Sequence, residues 1–139
     1  MADDPIATAR AVLTAFEDND REAIEALIAD DFAFTSPFDN RLDRETYFER
    51  CWPNAEAAES FTIVFAAADG NRAAITYDAT TTEGDSFRNT EIFTVVDGKV
   101  TEVEVYFGWD LPHEAEEGGW VDDDEDELDG VEGIPVRVG

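Results

Sequence analysis

Tyr77, Asn89 and Glu91 fall at spacings that would gather a carboxyl, an amide and a phenol on one face of a sheet. Alternate residues of a strand face opposite sides. Along 86–96, Phe87, Asn89, Glu91 and Phe93 therefore share one face, and Arg88, Thr90 and Ile92 share the other. A type I turn closed by Gly98 as a left-handed bulge residue pairs Glu91 with Val103, Asn89 with Val105 and Phe87 with Phe107. A plain two-residue Asp97-Gly98 turn would instead set Glu91 against Glu104, two like charges side by side, so the bulged register is the expectation. Its inner face is apolar apart from Asn89 and Glu91; on its outer face Arg88 can lie over Tyr106. In the preceding strand, Asp78, Thr80 and Thr82 suit the outside, which turns Tyr77, Ala79 and Thr81 inward. Ionising a carboxyl on an apolar face is costly, so Glu91 should have a raised pKa, suited to a general acid or a protonated hydrogen-bond donor. The alternative is that Glu91 bonds Asn89, Tyr77 or a helix end and only holds its surroundings in shape.

Asp39, two residues past Pro37, is a second candidate, as a base; as a turn residue it would bond its own backbone. His113, the only histidine, follows Pro112 with no orienting partner nearby and reads as surface. Cys51 stands at helical spacing from Tyr47 and Phe48 and reads as a small core residue rather than a nucleophile. One cysteine permits no internal disulfide and no metal-type cluster. No Gly-rich phosphate loop or nucleotide fingerprint is present, so neither metal nor cofactor is expected.

The elements that must position these residues follow from caps and periodicity. Asp3 or Asp4 before Pro5 starts a helix carrying Ile6, Ala9, Val12, Leu13 and Phe16. Asp20 starts a second, with Ala23, Ile24, Leu27 and Ile28 as its apolar stripe, closed by Asp30-Asp31. A short extended piece, 32–36, meets Pro37, which forbids regular pairing beyond it. Asp43 caps a third helix carrying Tyr47, Phe48, Cys51 and Trp52 and ending at Pro53. Residues 60–69, 72–83, 86–96 and 99–109 then read as an antiparallel meander, separated by Asp69-Gly70, Glu83-Gly84-Asp85 and Asp97-Gly98. Three helices followed by four long strands is an α+β pattern, helices on one face of a bent sheet.

The chain has 139 residues, which fits one domain. Thirty-five acids oppose nine bases, Lys99 being the only lysine, for a formal charge of -26. Such self-repulsion destabilises a compact state in dilute buffer; at molar salt the screening length falls to about 3 Å and the surface becomes tolerable. The spread of acids over every segment therefore reads as adaptation to a salt-rich cytoplasm. The same charge argues against nucleic acid, which needs a basic stripe, and against anionic membranes. No apolar run approaches the roughly 20 residues of a spanning helix, and the N-terminus lacks a basic signal-peptide start. Residues 1–111 are the expected domain and 112–139 an acidic tail, partly disordered or docked. The run Asp122–Asp129 misplaces the glycine and final glutamate of a calcium loop. Trp120 and the apolar close Ile134–Val138 could dock on the domain or on a partner subunit.

Several strings resemble the nuclear transport factor 2-like superfamily, in its SnoaL-like and ketosteroid-isomerase-like branches. They are Asp18-Asn19-Asp20 between helices, Ala26 to Phe32 leading into the first strand, and Glu91 to Val100 running into Val105-Tyr106-Phe107-Gly108-Trp109. The resemblance covers about residues 6–110. It implies a cone-shaped curved antiparallel sheet packed on three N-terminal helices, a cystatin-like fold with a small-ligand pocket at the open end, often a homodimer through the outer sheet face. Phe34, Ser36 and Phe38 should line that pocket from below, with Trp52, and with Tyr77, Phe87, Asn89, Val105, Phe107 and Trp109 from the sheet; either tryptophan could instead fill the core or a dimer contact. In the isomerase resemblance Glu91 falls where that family keeps a protonated Asp that stabilises the enolate oxygen. That family's base aligns with Ser36 and its oxyanion tyrosine with Val12, so steroid-type isomerisation is unsupported. The Arg and two Asp residues of the epoxide hydrolase branch align with Tyr77, Ala79 and Val105, and none is matched. The superfamily hosts isomerases, cyclases, binding proteins and association domains, so the fold does not give the function.

Overall fold

A computed structural model describes residues 4–121. The run Asp122–Asp129 and the close Ile134–Val138 lie outside the described residues. Each helix begins at an aspartate whose side chain accepts a backbone N–H of the first turn, satisfying a donor the helix cannot. Asp4 caps α1 (Pro5–Glu17) from Ala7 at 3.2 Å, Asp20 caps α2 (Arg21–Leu27) from Ala23 at 3.1 Å, and Asp43 caps α3 (Arg44–Arg50) from Thr46 at 2.9 Å. A 3₁₀ turn, Trp52–Glu56, follows α3, with Pro53 in its first turn.

Six strands form one sheet: β1 (Ile28–Ser36), β2 (Asp39–Leu42), β3 (Ala58–Asp69), β4 (Arg72–Thr81), β5 (Ser86–Val96) and β6 (Lys99–Leu111), in the order β2-β1-β6-β5-β4-β3. The meander is as expected, but the helix-rich half contributes two strands of its own. α2 stops at Leu27 rather than at Asp30-Asp31, because Ile28 turns extended and pairs with Val100. Pro37 does not end pairing either. It sits in a tight turn with Phe38, outside the ladder where its missing N–H would matter, and Asp39–Leu42 returns along β1. One pair departs from an antiparallel sheet: β1 runs parallel to β6. A parallel pair needs a long crossover, and everything from β2 to β5 supplies it.

The core lies between α1 and the inner face of β4–β6, where Ala9, Ile75, Phe93, Val95 and Val100 are essentially inaccessible. β4 buries alternate residues, Ala73, Ile75, Tyr77 and Ala79. Asp78 faces out and holds Arg88 through two bonds of 2.6 and 3.1 Å, so Arg88 does not cover Tyr106, which pairs with Thr90.

The β5–β6 register differs from the expected one by two residues at Glu91 and Asn89, and by three at Phe87, which opposes Asp110 instead of Phe107 because a second bulge intervenes at Gly108. Asp97 and Gly98 both have positive φ (55° and 79°), the two-residue turn that suits the strands' twist. The bulge comes later, at Thr101, where Thr94 pairs with Glu102 and Val95 with Val100. Glu91 therefore opposes Val105, Asn89 opposes Phe107, and no like charges meet. A shift of two preserves parity, so the inward set is unchanged.

Candidate functional site

Between the sheet's inner face and the helices lies a cavity of about 470 Å³, open to solvent on one side. Phe34 and Ser36 of β1, Phe38, Asp39 of β2, Tyr77 of β4, Phe87, Asn89 and Glu91 of β5, and Val105 and Phe107 of β6 all line it. Two of the expected wall residues do not. Trp52 packs edge-on against Phe16 at 5.0 Å, because the 3₁₀ turn swings it toward α1 and the core. Trp109 stands beyond the bulge at Gly108 and lines a separate surface concavity with His113, whose ring lies 6.2 Å away. His113 is exposed, and its Nδ1 accepts the Ala115 N–H at 2.9 Å.

The deep wall carries a polar chain. The Tyr77 hydroxyl donates to a Glu91 Oε, and Asn89 Oδ1 accepts the Gly108 N–H at 3.3 Å. Gly108 is required for that approach, since a Cβ there would stand 2.1 Å from the Arg88 carbonyl oxygen. Glu91 keeps accessible surface only in part, and it lines the cavity. Burial of the charge pushes its pKa up to about 7, against the hydrogen bond from Tyr77, which pulls it down. Burial raises the Tyr77 phenol well above its usual range, and the charge of Glu91 raises it further. Tyr47, 5.1 Å from Phe34 in the wall, is raised by burial in the same way. Near neutral pH, then, the cavity holds one carboxyl poised between two protonation states and phenols that stay protonated.

A second cluster sits where α3 meets the β1–β2 turn. Ser36 Oγ donates to Asp39 Oδ2 at 2.7 Å and accepts the Phe38 N–H at 3.1 Å. Arg50 Nε donates to Asp39 Oδ1. Asp39 thus reaches across to a helix instead of bonding its own backbone; Ser36 holds the turn. Cys51 lines the same wall, and burial, with Asp39 nearby, pushes its thiol up to about 12, which is not a nucleophile's pKa.

Sequence reasoning missed Arg50, Tyr47, Phe61 and Phe16, all in the wall. The signal for the first was available: Tyr47, Arg50 and Cys51 are at i, i+3 and i+4 and must share a helix face. Among the described residues no three His, Cys, Asp or Glu side chains converge as a metal site, and no helix is long and apolar enough to cross a membrane.

Helices packed on a curved, unclosed sheet over one cavity define the nuclear transport factor 2-like class. Solved structures of similar fold include an NTF2-like protein of unknown function from Cytophaga hutchinsonii (17% identity, TM-score 0.63, covering 78% of this chain and 93% of that one). Another is IdmH from Streptomyces antibioticus, described as a candidate polyketide cyclase (23%, 0.61, 73% and 89%). A third is an LEH-like epoxide hydrolase from M. tuberculosis (22%, 0.65, 75% and 82%). Within that class the chain belongs to the SnoaL-like domain family, whose pattern matches residues 9–103. No curated protein sequence matches it.

Proposed function

We propose that the cavity binds a small, largely apolar ligand and that Glu91 performs acid–base chemistry on it, of isomerase or cyclase type. The carrying observation is a carboxyl set among aromatic and aliphatic groups of the deep wall and bonded to Tyr77, where burial pushes its pKa up to about 7. A carboxylic acid in such a place can give its proton to a ligand carbonyl oxygen while a base, Asp39 or a solvent water, takes the α-hydrogen; both protons return as the enol collapses. Tyr77 and Asn89 orient that carbonyl. Asp39 acts as a base in this scheme only when its pair with Arg50 opens. The test is exchange of the α-hydrogens of a panel of cyclic ketones in D₂O, followed by mass spectrometry. Glu91→Gln should abolish exchange and leave ligand retention largely intact. Exchange no faster than in protein-free buffer would assign the chain to non-catalytic binding, and equal, accelerated exchange in both proteins would remove Glu91 from the chemistry.

A second reading, pairing of two copies through the outer sheet face, has its own support. Phe65, Thr76, Thr90 and Tyr106 form one row across β3–β6, with Phe65 and Tyr106 each more than half exposed and the two threonines bonded at 2.7 Å. Light scattering should give twice the chain mass, and Phe65→Asp should halve it; a wild-type monomer sinks this reading.

A further inference from the structure

Arg50 is the only cationic side chain among the described residues that line the cavity. In a chain of net charge -26, a lone cation lining a cavity is conspicuous. Its position is fixed by Asp39, whose side chain keeps only 10% of its surface, while the Arg50 side chain keeps 55%. The anion of the pair is shielded and the cation presented. Only Nε is engaged by Asp39, and no hydrogen bond within the described residues uses the two terminal nitrogens. A guanidinium held at Nε still offers the parallel pair of N–H groups at its far end, the geometry that accepts both oxygens of a carboxylate. The remaining wall is mostly apolar, with Phe34, Phe61 and Phe87 among its rings.

We infer that the ligand is a carboxylate attached to an apolar, ring-sized body, its anionic end on the Arg50 fork at the α3 side of the cavity and its ring among the wall aromatics. This rests on the ligand-binding reading above and gives it a substrate class, a compound that carries a carboxylate in addition to the carbonyl on which Glu91 acts. Ser36 and Asp39 act here as positioning residues, holding the guanidinium against the wall.

The test uses two probes of nearly equal shape, 2-naphthaleneacetic acid and its amide, titrated by fluorescence in buffer of constant ionic strength. The wild-type protein should bind the acid at least about tenfold more tightly, the ~1.4 kcal/mol at the low end for a charged hydrogen bond. Arg50→Met combined with Asp39→Asn, which leaves no stranded carboxylate, should erase the preference, so that acid and amide bind alike. Arg50→Lys should retain part of it. Equal binding of acid and amide by the wild type, or a preference that survives in the double variant, overturns this inference while leaving the ligand-binding reading intact. Binding of neither probe by folded wild-type protein overturns both.

Discussion

Glu91 carries a pH dependence whose sign can be worked out. Its folded pKa, about 7, lies above the unfolded value of 4.5, so the native state binds more protons between those limits. The stabilisation is fully present below about 4.5 and is lost as pH rises to about 7. Urea denaturation at pH 5 and pH 8 should show the wild type losing up to about 3 kcal/mol relative to Glu91→Gln. A second prediction concerns Tyr77→Phe, which removes the one bond holding the Glu91 pKa down. The carboxyl should titrate higher, visible by carboxyl-carbon NMR, and stability should fall by about 1 kcal/mol. Tyr77, Asn89 and Glu91 were legible in the sequence because strand parity survives any even slip. Arg50 is not singled out in the sequence because its role depends on Asp39, and neither reading of Asp39, as a base or as a turn residue, involves α3. No local pattern announces that a β-turn carboxylate will reach a helix.

The strands were read from composition and turn signals, but their pairing rests on details the local sequence leaves open. Asp97-Gly98 suits more than one hairpin loop, and the displaced bulge at Thr101 leaves no mark of its own. The β1–β2 hairpin was hidden behind Pro37 because a proline between extended residues reads equally as a stop or a turn. Trp52 and Trp109 were misplaced for a related reason: a 3₁₀ turn and a bulge re-aim side chains without changing the spacing. The β5–β6 bulge offers a prediction. Gly108→Ala must push a methyl onto the Arg88 carbonyl and should cost about 1–3 kcal/mol by strain, while also disturbing the Asn89 bond. Gly70→Ala, at φ +64° in open space, should cost only about 1 kcal/mol. Parallel chemical denaturation of the two variants decides it, and equal losses would argue against the close approach.

At the scale of the molecule, charge dominates. The five ion pairs among the described residues are at or near the surface, and such pairs contribute about 0–1 kcal/mol each. They cannot offset the mutual repulsion of thirty-five acids. Raising salt weakens those pairs and the repulsion together, and the repulsion is the larger sum. The melting temperature should therefore climb steeply between 0.1 and 1 M KCl, as the screening length falls from about 10 to about 3 Å. A flat or falling profile would contradict the reading of the surface as salt-adapted. The parallel pairing of β1 with β6 has a consequence in time. β1 is made well before its parallel partner β6, the last strand among the described residues, and such distant pairings are slow to form. Until β6 docks, β5 is paired only on its β4 side and Glu91 stays open to water, ionised at neutral pH. Completing the sheet should therefore coincide with proton uptake, so that the cavity and its acid come into existence in the same late step.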